Sequence, residues 1–335
     1  MESEATINFK GLAEAVKICK YMLTTDENLK IHLNANEFRP NEKATGKITF
    51  RTAKEVKPNE IRLEVKGVSE TSFYVTNKIT TKNTTADRTR YYFTETYLNY
   101  QKVLWQPSHE KDSLWPGIHE YSFEFTIPED APPTMDEGQG KVQYSIKAIV
   151  DTPWAIKSEA KAEFFVLPYL DLNAFNNLDE PRTATIEKSR LLSSNCITAT
   201  VSIPKTGYAP GEDIPVSVEI YNETSLDVTA IESGILQTYN FVGYDDGDTS
   251  GYKKTVISTK KHNFEKTPIS VEKKKKTKFT HAITIPDLPP TIEDCANITI
   301  EYDVIVEIKT NAYVSKTSKT SLPIIIGTIP LKAKK

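Results

Sequence analysis

Cysteine is scarce in this chain, and its scarcity excludes two classes of protein. The 335 residues contain three cysteines, Cys19, Cys196 and Cys295, and no two of them have the CxxC spacing. So sparse and odd a set builds neither a disulfide framework nor a zinc site. We therefore expect no disulfide and no bound metal, and we interpret each cysteine as a small core or surface residue.

Long apolar runs and an excess of basic charge are also missing. The longest apolar stretch, LPIIIGTIPL at 322–331, is too short and too interrupted by proline to span a bilayer. The first ten residues, MESEATINFK, show no basic segment followed by an apolar one, which predicts no secretory leader. A net charge of −3 gives no overall basic field. We predict a soluble, cytoplasmic protein without a nucleic-acid partner.

Catalytic signatures are absent from the sequence as well. The five histidines are scattered, and no HExxH, GxSxG, P-loop or GxGxxG motif occurs. We therefore predict a protein that is not an enzyme, with no catalytic residue and no cofactor.

Apolar and polar residues alternate along most of the chain. After residue 28, short runs of period 2 follow one another, bounded by Pro, Gly, Asn and Asp, without intervening helices. Clear examples are 61–65, 121–125, 142–148, 216–220 and 298–306. Such runs predict antiparallel strands with one buried face, and many of them predict sandwiches or barrels.

The first 28 residues have a different period. Leu12, Val16, Cys19 and Leu23 form a stripe at helical spacing, which predicts a short amphipathic helix. Its apolar face either lies in a membrane interface or packs on its own sandwich. The second alternative is favoured, because the face is modest and contains Ala and Cys.

A repeat indicates that the chain contains two copies of one domain. TIPEDAPPT starts at Thr126 and TIPDLPPT at Thr284, 158 residues later, and the strands that start at Tyr144 and Tyr302 have the same offset. Upstream, the segment 38–42 matches 208–212 at an offset of 170. The first copy therefore has about 12 additional residues, which we assign to a long polar loop at 77–90.

Several motifs resemble a known family. The stretch 114–154, DLN at 171–173, KTGYAPGEDIPVSVEIYN at 205–222 and LPIIIGTIPL at 322–331 occur in the order seen in the arrestin-domain-containing proteins, the α-arrestins. The resemblance runs from about Leu29 to Leu331. It implies the arrestin fold, which is all-β, with two tandem immunoglobulin-like β-sandwich domains. Here a short N-terminal helix would precede them.

The resemblance and the repeat together give a domain layout. We predict a helical extension at 1–28, a first domain at 29–170, a linker at 171–190, a second domain at 191–331 and a basic tail stub at 332–335.

The resemblance also implies a function. Relatives are adaptors that hold cytoplasmic loops or tails of membrane receptors and transporters and direct their endocytosis or sorting, at the plasma membrane or endosomes. Many recruit a ubiquitin ligase through PPxY motifs that WW domains bind. No PPxY occurs here, because Pro132-Pro133 and Pro289-Pro290 are followed by Thr-Met and Thr-Ile. We expect any ligase or trafficking machinery to be recruited by another route.

Two basic segments are candidate partner sites. In the loop 77–90, Lys78, Lys82, Arg88 and Arg90 are candidates for contact with a partner, with phosphorylated tails or with lipid headgroups. The alternative is a loop that charge merely keeps solvated.

The second segment is predicted to be a basic hairpin on the second domain that binds anionic lipid or phosphate. Its candidates are Lys273, Lys274, Lys275, Lys276 and Lys278, preceded by Lys253, Lys254, Lys260 and Lys261. The alternative is that lysines on edge strands block aggregation between sheets.

Two other functions stay open at this point. Cargo subunits of endosomal sorting coats share the arrestin fold, although the LPIIIGTIPL and WPG-x-H motifs favour the α-arrestins. A sandwich that binds a carbohydrate or small ligand is a third possibility, because fold alone does not fix function.

Overall fold

The computed structural model describes residues 23–24, 28–76, 88–154, 157–189, 196–245, 247, 251–311 and 318–332. In these ranges the regular secondary structure is β-strand, apart from one short 3-10 turn at Leu172–Ala174. The same ranges contain no helix long and apolar enough to cross a membrane.

The first domain is a sandwich of two sheets. Its strands are β1 (Leu23–Thr24), β2 (Leu29–Leu33), β3 (Glu37–Phe38), β4 (Lys43–Thr52), β5 (Glu60–Thr76), β6 (Arg88–Trp105), β7 (Gly117–Thr126), β8 (Met135–Glu137), β9 (Gly140–Asp151) and β10 (Ser158–Val166). One sheet has the order β2-β4-β7, and the other has the order β1-β10-β9-β5-β6, with β3 on β10 and β8 on β9.

The second domain repeats this arrangement. Its strands are β11 (Arg182–Ser189), β12 (Cys196–Ile203), β13 (Gly207–Tyr208), β14 (Asp213–Asn222), β15 (Val228–Asp245), β16 (Lys253–Val271), β17 (Lys275–Thr284), β18 (Ile298–Thr310) and β19 (Ser318–Ile326). One sheet is β11-β12-β14-β17, and the other contains β16, β15, β18, β19 and β13. The predicted all-β fold of two sandwiches is confirmed.

Alternation along the strands explains why these residues form sandwiches. In β4, Ile48 and Phe50 point inward and are buried. On the opposite face of β4, Lys43 and Lys47 point outward and form ion pairs with acidic residues of β7, at 3.3 and 2.9 Å. The inward rows of the two sheets meet in one apolar core, where burial of each large side chain contributes roughly 1.5–3 kcal/mol.

The duplicated motifs make the same hydrogen bonds in both domains. The buried Tyr144 hydroxyl donates to the Pro132 carbonyl at 2.7 Å, and the Tyr302 hydroxyl donates to the Pro289 carbonyl at the same distance. Each tyrosine thereby fixes the extended Pro-Pro segment over the core. The repeat found in the sequence is therefore also a repeat of contacts.

The Pro-x-Glu turns are equivalent as well. Asn41 and Gly211 occupy the same turn position with φ of 65° and 86°, a left-handed conformation that Asn and Gly tolerate best. The carboxylates of Glu42 and Glu212 each accept a hydrogen bond from the backbone N–H three residues earlier, at 2.8 and 2.6 Å. These turns close the entrance to β4 and β14.

The predicted N-terminal helix falls mostly outside the described residues. Its last apolar position, Leu23, lies in β1, which pairs antiparallel with β10. Leu23 is therefore strand, and that end of the helix prediction is wrong, because an open edge of the sheet is available to pair with it.

The segment 171–190, predicted as a linker, contains a strand. β11 pairs with β12 over eight registered positions, from Arg182 with Ile203 to Ser189 with Cys196. Because this strand belongs to the second domain's sheet, we propose a shorter connection between the domains, at 171–181.

We predict that Tyr144→Phe and Tyr302→Phe each lower the free energy of unfolding by about 1–3 kcal/mol. Each change leaves a proline carbonyl without its donor. Chemical denaturation with both variants measures the loss. Tyr221→Phe, at a side chain that is 42% exposed, is the matched control. Equal stability of all three variants would contradict the structural role.

Candidate functional site

The two domains are joined by backbone pairing. The end of β15 pairs antiparallel with the beginning of β6, with Tyr244 opposite Tyr92 and Asp245 opposite Tyr91. This pairing joins the sheet that contains β6 in the first domain to the sheet that contains β15 in the second, which gives one sheet of 12 strands. The sheet therefore continues without a break across the domain junction.

Buried polar groups reinforce this junction. Asn297 is fully buried. Its side-chain oxygen accepts a hydrogen bond from the Ser69 hydroxyl at 2.7 Å, and its amide group donates to the Phe93 carbonyl at 3.2 Å. Thr71 donates from its hydroxyl to the carbonyl of Val242 in the other domain. A buried amide with its partners in place is stabilising, whereas one without them costs free energy.

A neutral tyrosine of the first domain also contacts the second domain at the junction. The Tyr97 hydroxyl accepts a hydrogen bond from the Ala296 N–H at 3.0 Å and lies 3.6 Å from the Cys295 sulfur. Burial raises the pKa of Tyr97 far above its ordinary value, so the phenol stays neutral. An ion pair at 2.7 Å between Lys260 and Glu137 also crosses between the domains.

A second contact fixes the connection between the domains. The Leu170 N–H donates to the Thr328 hydroxyl at 2.8 Å, and the Asn173 side chain donates to the Pro330 carbonyl at 2.9 Å. A Cβ on Gly327 would lie 2.5 Å from the Leu172 side chain, so only glycine fits there. The DLN and LPIIIGTIPL motifs, distant in sequence, are therefore in contact.

An exposed surface of three tyrosines and one arginine lies at the junction, where Tyr74 pairs with Arg90 and Tyr92 pairs with Tyr244. We name these four residues the junction surface. Tyr74 is 65% exposed and Tyr92 45%. The Arg90 guanidinium lies 5.7 Å from the centre of the Tyr92 ring. Exposed tyrosine and arginine are the residues that most often dominate binding at protein interfaces.

The four candidates of the predicted loop divide into two groups. Lys78 and Lys82 lie outside the described residues. Arg88 and Arg90 are exposed but lie in β6, where they pair with Thr76 and Tyr74 of β5. The strand therefore begins before the predicted loop would end, and the two arginines are presented by the sheet.

The predicted basic hairpin is wrong as a hairpin. A turn through Lys273 and Lys274 does connect β16 to β17, but β16 pairs with β15 and β17 pairs with β14, in different sheets. Lys276 forms an ion pair at 2.7 Å with Glu219, whose pKa it lowers. We name Lys273, Lys274, Lys275, Lys276 and Lys278, all exposed, the basic edge.

The tyrosines of the junction surface were not predicted from the sequence. Tyr74 and Tyr92 occupy the solvent side of the period-2 alternation on β5 and β6. Large aromatic residues on a solvent face are the signal that could have revealed them.

The described residues contain no group of His, Cys, Asp or Glu that could hold a metal ion. The Ser233 hydroxyl lies 2.5 Å from the His281 ring. Ser233 is buried, however, and the Nδ1 of His281 has no hydrogen-bond partner to orient it. A catalytic triad needs an accessible nucleophile and an oriented base, so this pair has the geometry of a core contact.

Family comparisons cover most of the chain. Residues 29–173 match the family described as "Arrestin (or S-antigen), N-terminal domain", and residues 193–331 match its C-terminal counterpart. Arrestin domain-containing protein 17 of Caenorhabditis elegans is 28% identical over 85% of this chain. Arrestin domain-containing protein 4 of Mus musculus is 30% identical over 70% of it.

The matches span 66% of the nematode relative and 55% of the mouse relative, so the chain covers between half and two thirds of their lengths. The matched regions include every strand of the joined sheet except β1, and also the DLN segment and the closing segment that it contacts. The chain therefore belongs to the arrestin family and is of the α-arrestin type.

Proposed function

We propose that this protein is a non-enzymatic adaptor for membrane receptors or transporters. It binds their cytoplasmic loops or tails and directs endocytosis, sorting or ubiquitin-linked trafficking, at the plasma membrane or endosomes. Adaptor roles in trafficking are typical of the arrestin family. The observation that carries the proposal is the junction surface, which exposes tyrosines and an arginine on a sheet shared by both domains.

The junction surface is suited to binding because it is preorganised. The Tyr244 ring packs edge-on against Phe93 at 5.2 Å, and the Tyr92 ring lies against the Arg90 guanidinium at 5.7 Å. Rings that neighbours already hold lose little conformational entropy when a partner binds. Tyrosine also combines a large apolar area with a hydroxyl that satisfies polar groups of a peptide.

Positive charge beside these tyrosines favours an acidic partner. Arg88 and Arg90 are exposed in the first residues of β6. Lys78 and Lys82 precede them in the sequence, and we propose that they extend the same contact. Guanidinium groups form strong, often bidentate hydrogen bonds with carboxylates and phosphates, so acidic or phosphorylated cytoplasmic tails are the expected ligands.

The basic edge is proposed to bind anionic lipid headgroups or phosphate. It occupies a turn and the outer strand of the β11-β12-β14-β17 sheet. Lysines on an edge strand also oppose aggregation between sheets. Any ubiquitin ligase that binds these 335 residues is proposed to use a contact other than a PPxY motif, because they contain none.

We predict that Tyr74→Ala combined with Tyr92→Ala reduces capture of membrane receptors or transporters. Truncation of a binding hot spot costs about 2 kcal/mol or more, which corresponds to roughly 30-fold in affinity. Tagged protein is incubated with detergent-solubilised cell membranes, and the captured membrane proteins are quantified by mass spectrometry.

The matched control is Tyr169→Ala combined with Tyr221→Ala, at side chains that are 52% and 42% exposed and lie away from the junction. Equal loss in both double variants would contradict a specific role of the junction surface. Capture of sorting-coat subunits in place of receptors would favour the alternative coat function.

We predict that glutamine at Lys273, Lys274, Lys275 and Lys278 weakens sedimentation with phosphatidylserine vesicles. Each lysine near an anionic surface contributes about 1 kcal/mol. Lys276 is kept because it pairs with Glu219. The same number of exchanges at Lys30, Lys47, Lys66 and Lys161, exposed on the first domain, is the control. If the basic-edge variant sediments with the vesicles as strongly as the unaltered chain, lipid binding by the basic edge is contradicted. Its lysines would then only oppose aggregation between sheets.

A further inference from the structure

All three tryptophans of the chain lie at one end of the first domain. Ile61 in β5 pairs with Trp105, the last residue of β6, and with Val150 near the end of β9. Trp115 lies in the connection from β6 to β7, and Trp154 lies in the turn from β9 to β10. We name this region the tryptophan end.

The tryptophan end lies far from the junction surface. β6 begins at the junction, where Tyr92 pairs with the second domain, and it finishes at Trp105. Trp105 lies 13 positions after Tyr92 in β6, which corresponds to about 40 Å along the strand. The tryptophan end therefore belongs to a different surface from the proposed cargo site.

Two of these tryptophans are presented to solvent. Trp154 is fully exposed and Trp115 is 69% exposed, with Ile118 beside it at 62%. Trp154 also has a φ of 59°, a conformation that is uncommon for a bulky residue. Exposed apolar groups gathered at one place indicate an interaction site.

The turns that carry the tryptophans are held by local contacts. The His119 ring lies 2.8 Å from the Trp115 carbonyl through its Nε2. Lys157 forms an ion pair with Asp151 at 3.4 Å across the base of the Trp154 turn. The Asn59 N–H donates to the Asp151 carbonyl at 2.7 Å and ties this turn to the neighbouring connection.

Charge at the tryptophan end is complementary to an anionic surface. Exposed cations are numerous in its connections, whereas the exposed acids are fewer. The cations are Lys54, Lys57, Lys102 and Lys111, and the exposed acids are Glu55 and Glu110. Three further acids are held by local contacts. Half-exposed Asp112 accepts hydrogen bonds from the N–H groups of Ser108 and His109 at 2.7 and 2.9 Å, Asp151 pairs with Lys157, and Glu60 pairs with Arg62.

We propose that the tryptophan end docks on an anionic lipid membrane, with Trp115 and Trp154 in the headgroup region. Indole rings favour this interface because they combine an apolar body with a polar N–H. Nearby lysines add attraction to anionic lipids, and the two signals together give reversible attachment. This site is separate from the basic edge and does not depend on the proposed cargo site.

Tryptophan fluorescence tests the proposal directly, because every tryptophan of the chain lies at this end. The full chain is titrated with phosphatidylcholine vesicles that contain or lack phosphatidylserine, and with brominated lipid as a quencher. We expect the emission to shift to shorter wavelength and to be quenched, more strongly with phosphatidylserine. Unchanged emission with vesicles that sediment the protein would overturn the proposal, since another surface would then hold the membrane.

Variants identify the groups responsible. Trp115→Ser with Trp154→Asn, where asparagine tolerates the positive φ, is expected to lower vesicle affinity by at least about tenfold. Glutamine at Lys54, Lys57, Lys102 and Lys111 is expected to lower affinity for phosphatidylserine vesicles by about fivefold per lysine, and not for neutral ones. Tyr169→Ser with Tyr221→Ser is the control, and equal loss in that control would contradict the proposal.

Discussion

The pairing of β15 with β6 is the contact on which the rest of the structure depends. Backbone pairing at two positions, together with the buried Asn297, joins one sheet of each sandwich into a single continuous sheet. Since the buried partners are hydroxyls, amides and carbonyls, screening by salt affects them little, unlike exposed ion pairs. The tyrosines of the junction surface are positioned by this contact, because they are carried by strands from both domains. A change in the junction would therefore alter the proposed cargo site before it altered either core.

Each domain uses the same set of devices to close its sandwich. A tyrosine hydroxyl donates a hydrogen bond to a Pro-Pro segment, and a glutamate accepts one in the turn before β4 or β14. These contacts leave a recognisable motif in the sequence, because backbone geometry requires proline, glycine and glutamate at fixed positions. The repeat was therefore visible without a structure, and so was the class of fold.

Other features could not be predicted, for physical reasons. Alternation tells which residues face the core, but not which strand edges meet, so the pairing of Tyr92 with Tyr244 has no local signal. The turn through Lys273 looked like a hairpin because a tight turn within one sheet and a turn between two sheets have similar composition. Leu23 fitted a helical stripe, although β10 offers it a strand partner. Arg88 and Arg90 were expected in a loop because threonine and charged residues surround them, and pairing with β5 extends the strand past that boundary.

The central claim, that uncharged buried contacts fix the two domains relative to each other, is tested most directly by an interdomain distance. Spin labels at Ser122 of β7 and Thr280 of β17, both exposed, report it by pulsed electron resonance, with Cys19 and Cys196 replaced by serine. The account predicts one narrow distance distribution that does not change between low and high salt, and a broader one after Asn297→Ala. A broad or salt-dependent distribution in the otherwise unaltered chain would contradict it.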